Sequence, residues 1–234
     1  MIARAPAVLN ALADLNALAN PTRAVEVAAY HKVARPYLGV TVPEVTALAT
    51  QWRAALDTAG RVALASDLWD TNIHEARVGA AKLLTQARIA DDAAVWDLIA
   101  SWVPQFDAWS IADHACDAGN RRLLADPSRL NSVETWITHD NMWTRRAALV
   151  MTLPWTKQNF PKPIDLHIRD RVLGWAAGMV ADKDWFIQKA IAWWLRDLSK
   201  HDAQRSQMFL AEHGITMKSW AAKEAARYLP ATQR

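Results

Sequence analysis

Two stretches of the chain place an aromatic residue and a charged residue four positions apart. Trp109 precedes Asp113 and Lys189 precedes Trp193, so each pair shares one face of a helix, one turn apart. A fixed carboxylate can stabilise positive charge or act as a base on water, and an indole face attracts cations. Spacing alone leaves another interpretation open, in which Asp113 is simply solvated and both tryptophans belong to the core.

A third candidate is the adjacent pair Arg145 and Arg146, which opens a predicted helix, although a solvated surface pair is the alternative. The seven histidines are scattered, and no two are spaced to share a metal on one helical face. We expect them to lie at the surface or at helix caps, and we expect Cys116 to be a small buried hydrophobic residue. The sequence therefore predicts neither a metal site nor a cofactor.

The chain lacks the short motifs of several common enzyme classes. It contains no GxGxxG or GxxxxGK[ST] loop for phosphates and no GxSxG nucleophile turn, and His74-Glu75 is not followed by a second histidine at the HExxH spacing. A single cysteine excludes a disulfide framework, a zinc ribbon and an iron–sulfur cluster. These absences remove nucleotide-binding, serine-hydrolase and zinc-protease chemistry from the alternatives.

The elements that must position these residues are helices. Of the 234 residues, 52% are hydrophobic and 22% charged, and only 7 are glycine, which suits a large helical core better than a sandwich or barrel. No apolar run approaches the length of a membrane span, the N-terminal stretch is too polar for a signal peptide, and we expect a cytoplasmic protein. Apolar spacing predicts helices over 5–17, 21–34, 43–58, 60–69, 72–87, 91–105, 108–125, 128–138, 142–153, 162–180, 185–201, 204–213 and 216–229.

Some of these helices resemble one another. Arg77, Arg146 and Lys189 each precede a stripe of small residues, and Ala112 falls into the same frame, at intervals of 35, 34 and 43 residues. Helix pairs that repeat at about 40 residues are typical of HEAT-type solenoids. The repeat is degenerate, so it allows either an α-solenoid or an irregular helical bundle.

Charge is unevenly distributed along the chain. Residues 1–100 hold 9 Lys and Arg against 10 Asp and Glu, whereas residues 101–234 hold 18 against 14. The 13 tryptophans are an unusually large number, and they require a reason in the core or in a site. The excess of positive charge favours a basic face in the second half of the chain.

Several motifs, in order along residues 20–229, resemble the AlkD family of DNA alkylation-repair glycosylases. The most specific is Trp-Phe-Ile-Gln-Lys-Ala-Ile-Ala-Trp-Trp-Leu-Arg at 185–196. A Trp-x-x-x-Asp helix at 109–113 and Trp-Thr-Arg-Arg-Ala-Ala at 143–148 also match. Near the N-terminus, Ala-Tyr-His-Lys at 29–32 and Tyr-Leu-Gly-Val at 37–40 look like the family's opening helices.

The resemblance implies a fold, an activity and a set of residues. The fold would be a HEAT-like helical-repeat solenoid, one domain over 1–234, whose concave basic face holds duplex DNA that contains alkylated bases. The activity would be monofunctional excision of cationic N3- and N7-alkylpurines without base flipping, by a monomer associated with the nucleoid. Four residues are implied in catalysis, namely the carboxylate Asp113, the aromatic walls Trp109 and Trp193, and Arg146. Four others are implied in DNA binding, namely Tyr30, Arg145, Lys189 and Arg196.

Two other functions stay open at this point. A non-catalytic HEAT-repeat protein could bind damaged or branched DNA through the same face, and a solenoid could serve only as a protein scaffold. Three positions depart from the family pattern. Ala108 stands where a second aromatic residue is expected, Ser110 replaces an acidic residue, and Trp194 replaces a small aliphatic residue. These departures bear on the range of lesions more than on the type of reaction.

Overall fold

The computed structural model describes residues 6–230, which contain helices and no strand, so the predicted all-α class is confirmed. The chain divides into two compact units, one ending at Ala125 and the other beginning at Asp126. The first unit contains α1 (Pro6–Ala17), α2 (Pro21–His31), α3 (Val42–Ala55), α4 (Thr58–Asp70), α5 (His74–Leu84), α6 (Ala93–Trp102) and α7 (Trp109–Ala125). The second contains α8 (Leu130–Glu134), α9 (Met142–Met151), α10 (Pro163–Met179), α11 (Trp185–Leu198), α12 (Ala203–His213) and α13 (Ser219–Ala225).

Each predicted helical segment corresponds to an α-helix of the structure, with differences at the ends. The prediction that 128–138 forms one helix is wrong, because that stretch is divided into a 3₁₀ turn, the short α8 and a second 3₁₀ turn. The predicted start at residue 5 lies outside the described residues. The described 3₁₀ helices are Val103–Gln105, Pro127–Arg129, Thr135–Thr138 and Leu153–Lys157.

Side-chain caps fix where the helices near the predicted site begin. Asn20 accepts a hydrogen bond from the backbone N–H of Arg23, which starts α2. Thr41 and Glu44 form a reciprocal capping box at the start of α3. Gly39, between the two helices, has φ +74, and a side chain there would collide with the backbone oxygen of Asn20. These contacts fix the starts of α2 and α3 and require glycine at position 39 between them.

The core of the first unit forms where α3, α4 and α7 pack around α5. Leu68 and Leu83 are fully buried, and the rings of Trp69 and Trp102 stack with their centres 4.2 Å apart. In the second unit α11 packs against α9 and α13, with Trp194 and Leu195 fully buried. These two cores position the first residues of α7 and the outer face of α11.

Core packing accounts for most of the tryptophans. Eight of the thirteen are buried, and at least four of these also donate the indole N–H to a polar side chain, which satisfies a group that would otherwise be costly to bury. The four bonds are Trp52 to Asp14, Trp69 to Gln105, Trp155 to Asp165 and Trp175 to Glu134. The remaining five, at 109, 143, 185, 193 and 220, keep part of their surface in solvent.

Candidate functional site

Two of the predicted site residues lie one turn apart at the start of α7. Trp109 is its first residue and is 37% exposed. Asp113 follows on the same helix and is half-buried. The alternative in which Trp109 belongs to the core is therefore wrong. An indole and a carboxylate therefore lie one turn apart on one helix of the first unit.

The structure brings Tyr30 to Trp109. Helix α2 ends at His31 because Lys32 adopts a left-handed backbone conformation, φ 56. This ending leaves Tyr30 67% exposed, with its ring edge-on to Trp109 and the ring centres 6.2 Å apart. The ring of His31 lies 5.5 Å from the indole on the inner side. Two aromatic rings from distant parts of the chain therefore form one exposed surface.

A group of histidines lies behind this surface, and the sequence did not indicate it. His31 stacks on His74 with the ring centres 4.8 Å apart, and Tyr37 stacks on His74 at 5.0 Å. The expectation of a surface or capping role is wrong for His74, which is only 7% exposed because α5 is buried along most of its length. Burial lowers the pKa of His74 to about 3 and the pKa of His114 to about 4. Both imidazoles are therefore uncharged at neutral pH.

The other five predicted site residues lie in the second unit, and Arg146 is the most buried of them. Helix α9 begins where Asn141 accepts a hydrogen bond from the backbone N–H of Trp143. Arg146, one turn further on, is only 2% exposed, and its guanidinium carbon lies 5.7 Å from the centre of the Trp143 ring. Trp143 in turn contacts Phe186 of α11, at 4.5 Å between ring centres. Arg146 thus lies against Trp143, which itself contacts a ring of α11.

Lys189 projects from the outer face of α11. Its ammonium lies 4.6 Å from the centre of the Trp185 ring, and it makes no ion pair with any residue of 6–230. Trp185 is 47% exposed and stacks on Trp220 with the ring centres 5.6 Å apart. We call Trp185, Phe186, Lys189 and Trp220 the α11 surface. It combines an available positive charge with flat apolar rings, which suits a phosphate backbone and the sugars or bases beside it.

Trp193 is oriented by a residue that was not predicted. Its indole N–H donates to the carboxylate of Asp197, at 3.0 Å, and Asp197 is only 8% exposed. A signal for this contact was present, because Trp193 and Asp197 repeat the Trp-x-x-x-Asp spacing of Trp109 and Asp113. The indole is therefore fixed at its polar edge.

The two remaining predicted DNA contacts are already paired within the second unit. Arg145 bonds to Asp182 at 2.8 Å and donates to two backbone carbonyls of the turn before α9. Arg196 bonds to Glu224 at 2.6 Å and also contacts Asp197. Each arginine shares its charge with a carboxylate, so Lys189 carries the most available charge among the predicted DNA contacts of this unit.

All three departures from the family pattern are buried positions. Ala108 is buried, and its carbonyl accepts the backbone N–H of Ala112 at the start of α7. Trp194 is fully buried in the second unit and adds to its core. Ser110 is 7% exposed, and its hydroxyl has no hydrogen-bond partner within the described chain.

Residues 6–230 contain no group of three His, Cys, Asp or Glu side chains that could hold a metal ion. Over the same residues, no helix is both long enough and apolar enough to cross a bilayer. The predicted site residues include a carboxylate, indole rings and cationic side chains. These groups can stabilise a developing positive charge and bind phosphates.

A family model described as DNA alkylation repair enzyme matches residues 11–229. The fold is similar to a solved structure titled a predicted DNA alkylation repair enzyme from Enterococcus faecalis, with TM-score 0.77 and 22% identity over 92% of this chain and 98% of that one. It is also similar to AlkD2 from Streptococcus mutans, with TM-score 0.64 and 18% identity over 82% and 91% of the two chains. No curated protein matches the chain. The expected helical-repeat fold is confirmed by these structures, and the chain belongs to the DNA alkylation repair enzyme family.

Proposed function

We propose that this protein is a monofunctional DNA glycosylase that hydrolyses the N-glycosidic bond of cationic N3- and N7-alkylpurines in duplex DNA. The observation that carries the proposal is the pair at the start of α7, an exposed indole at Trp109 and a carboxylate one turn later at Asp113. Membership of a DNA alkylation repair family supports alkylated DNA as the substrate. The pair supplies the two groups that the reaction needs.

The chemistry of the lesion explains why so few groups suffice. Alkylation at N7 or N3 gives the purine a positive charge, so the base leaves as a neutral molecule and needs no general acid. As the bond to C1′ breaks, positive charge develops on the sugar. A carboxylate beside C1′ stabilises this oxocarbenium character and can orient or deprotonate the attacking water. Asp113 takes this role in the proposal.

Aromatic rings and Arg146 complete the proposed catalytic set. The exposed indole of Trp109 and the half-buried indole of Trp193 offer electron-rich faces, which attract a cationic sugar or base. The hydrogen bond from Trp193 to Asp197 supports this role, because an indole with a fixed orientation loses little freedom on binding. Arg146 takes the role of the active-site arginine by its place in the family motif, and its guanidinium lies over the Trp143 ring.

Binding of duplex DNA is assigned to residues that contact phosphate and sugar. Lys189 has the available charge for this. Tyr30 of the first unit is exposed and is proposed as a further contact with DNA. Arg145 and Arg196 are proposed as weaker contacts, because Asp182 and Glu224 already share their charge. Contacts of this kind give affinity without reading sequence. They suit an enzyme that must find damaged bases in any DNA sequence.

The proposal also covers how the base is reached. We infer that the damaged base stays stacked during bond cleavage, so that selection depends on its charge rather than on a pocket that reads the intact nucleotide. Neutral lesions with a stable glycosidic bond, such as uracil, are then poor substrates. Efficient release of uracil from duplex DNA by the purified protein would contradict this inference. A covalent adduct trapped by borohydride would likewise contradict the monofunctional assignment.

The first test is release of N7-methylguanine from a methylated duplex by the wild-type protein and by Asp113→Asn. We expect the substitution to lower the rate about a hundredfold or more while DNA binding, followed by fluorescence anisotropy, is retained. The matched control is Asp117→Asn, because Asp117 lies one turn further along α7 and is exposed. Its release rate should stay within about twofold of wild type, since an exposed side-chain substitution is near neutral.

The alternative function is non-catalytic binding of damaged or branched DNA. The α11 surface favours it, because a lysine and flat aromatic rings can bind DNA without a catalytic carboxylate. No base release from the wild-type protein, together with salt-sensitive DNA binding, would establish this alternative. Equal release by wild type and Asp113→Asn would leave a glycosylase but remove the carboxylate from its mechanism.

A further inference from the structure

The loop that leads into α10 presents apolar side chains to solvent, and none of the roles assigned above uses them. Phe160 is 96% exposed, and Ile164, in the first turn of α10, is also exposed. Pro161 and Pro163 lie between them in the chain, and we call these four residues the Phe160 tip. A single exposed apolar residue is ordinary, whereas four within five positions form an apolar surface that a binding partner would cover.

Hydrogen bonds hold the backbone on both sides of Phe160. Before it, the carbonyl of Gln158 accepts a hydrogen bond from Nη2 of Arg169 at 2.8 Å, and Arg169 is itself buried. After it, the backbone N–H of Lys162 donates to the carboxylate of Asp165 at 2.9 Å. The prolines on either side of Lys162 also restrict the backbone. The ring is therefore held out in solvent by an ordered loop, so little freedom remains to be lost when it binds.

The Phe160 tip lies near Trp193, one of the aromatic walls assigned to the lesion. The ammonium of Lys157 is 4.0 Å from Oδ2 of Asp197, and the same oxygen accepts the indole N–H of Trp193 at 3.0 Å. Phe160 follows Lys157 by three residues, so their Cα atoms are at most about 11 Å apart. Neighbouring nucleotides of one strand are about 3.4 Å apart along the helix axis. A duplex bound at Trp193 therefore passes within a few nucleotides of the tip.

The charge beside the tip suits a polyanion. Lys157 and Lys162 are both exposed, and Lys162 makes no ion pair with any residue of 6–230. The nearby carboxylate of Asp165 is occupied, because it accepts the indole N–H of Trp155 as well as the N–H of Lys162. Exposed ammonium groups on both sides of an apolar ring are complementary to DNA, which offers phosphates on both sides of each base.

We propose that Phe160 inserts into a base step of duplex DNA, a few nucleotides from the one at Trp193, while Lys157 and Lys162 contact phosphates beside that step. Apolar side chains that enter a base step partly unstack it and bend the duplex. No nucleotide has to rotate into a pocket, so the insertion is compatible with a damaged base that stays in the helix. The inference rests on the proposed function only in that both require DNA as the partner.

The first test is affinity of the whole protein for an undamaged duplex, by fluorescence anisotropy over a series of salt concentrations. Phe160→Ala should weaken binding about tenfold, the usual size of a lost contact between a base and an aromatic ring, and should leave the salt slope unchanged because no cation is removed. Lys162→Ala should instead reduce that slope by about one. Phe160→Tyr keeps the ring and should bind like wild type. The matched control is Met208→Ala, another exposed apolar residue of the second unit.

The second test detects the opened base step itself. Fluorescence of 2-aminopurine is weak inside a stacked duplex and rises when a neighbouring base moves away. In short duplexes that carry 2-aminopurine at each central position in turn, saturating wild-type protein should raise the signal at one or two positions. Saturating Phe160→Ala should leave the signal of the free duplex. A ring that contacts only sugar or phosphate would not change this signal, so the readout is specific for insertion.

Three outcomes would overturn the proposal. These are equal affinity of Phe160→Ala and wild type, a 2-aminopurine signal that wild type does not raise or that Phe160→Ala raises equally, and self-association of wild type that Phe160→Ala abolishes, which would assign the tip to a second copy of the chain. The ring makes almost no contact with the protein, so Phe160→Ala should keep the wild-type melting temperature. Because the duplexes are undamaged, base release by a protein that fails these tests would leave the glycosylase proposal intact.

Discussion

At the scale of single residues, the two proposed aromatic walls are held in different ways. Trp109 touches other rings, whereas Trp193 has its indole N–H fixed by Asp197. Asp197 is also within 4.0 Å of Lys157 and contacts Arg196, so its carboxylate is an acceptor within a small polar network. Asp197 therefore acts as a positioning residue for Trp193.

We expect Asp197→Leu to slow base release about ten- to a hundredfold, because a small displacement of a group beside the reacting centre has effects of this size. Asp197→Asn keeps an oxygen that accepts the indole N–H, so it should restore most of the rate. Single-turnover release of N7-methylguanine measures both. Thermal unfolding of the two variants, measured beside it, separates positioning from loss of folding.

A double-mutant comparison makes this prediction specific. Phenylalanine has no N–H to donate, so in a Trp193→Phe protein the further change Asp197→Leu should have no additional effect on the rate. An equal loss from Asp197→Leu with and without the indole would show that Asp197 acts through the stability of α11 instead.

At the scale of the helix, α5 carries a buried histidine as its first residue. The folded-state pKa of His74, about 3, lies below the ordinary value of 6.5. As the pH falls below 6.5, the unfolded chain takes up a proton that the folded chain does not. Stability contributed by His74 is therefore present above that pH and is lost progressively as the pH falls toward 3.

We expect the wild-type protein to lose about 2 kcal/mol more stability between about pH 7 and about pH 5 than His74→Phe loses. Phenylalanine keeps a ring in the same place and cannot take up a proton. Urea unfolding at the two pH values measures the difference, and the value at the higher pH gives the packing effect of the substitution by itself. Parallel losses in the two proteins would show that His74 has the same protonation state in the folded and the unfolded chain, and would contradict the prediction.

Helices were also the part of the structure that the sequence predicted best. The predicted starts at 21 and 43 lie within one residue of the observed starts of α2 and α3. Asn20 with Pro21 and Thr41 with Pro43 stand at these starts, and caps act through residues adjacent in the chain. The 3₁₀ helix Leu153–Lys157 was missed, because Pro154 interrupts the apolar period and so short a turn has no period of its own. Local signals predict helices, and they do not predict short turns held by packing.

The candidate site likewise has a part that could be predicted from the sequence and a part that could not. Trp109, Asp113 and Trp193 follow from helix spacing together with the family resemblance. The group of histidines behind Trp109 does not, because His31 and His74 are far apart in the chain and each is unremarkable where it stands. Only the packing of the first unit brings the two rings together. Contacts of this kind depend on how elements pack, which one sequence does not encode in any local pattern.

At the scale of the whole molecule, the balance of charge differs between the two units. Residues 126–234 hold 16 Lys and Arg against 11 Asp and Glu, whereas residues 1–125 hold 11 against 13. Many of these cations are already paired, as Arg145, Arg196 and Arg205 are. The number of phosphates that the protein neutralises should therefore be smaller than its count of basic residues implies.

Affinity for undamaged duplex DNA should fall linearly on a plot of log K against log salt, because bound cations release counterions from the phosphates. Lys189→Ala should weaken binding to all sequences alike and reduce the slope by about one. Lys200→Ala is the matched control, since Lys200 lies over the ring of Tyr228 at 4.4 Å as Lys189 lies over Trp185, and its slope should equal that of wild type. Fluorescence anisotropy over a series of salt concentrations measures the slope for wild type and the two variants.

An unchanged slope in Lys189→Ala would remove the α11 surface from the DNA interface. A reduction of the slope shared equally by Lys200→Ala would indicate a diffuse attraction to the second unit instead of a contact at Lys189.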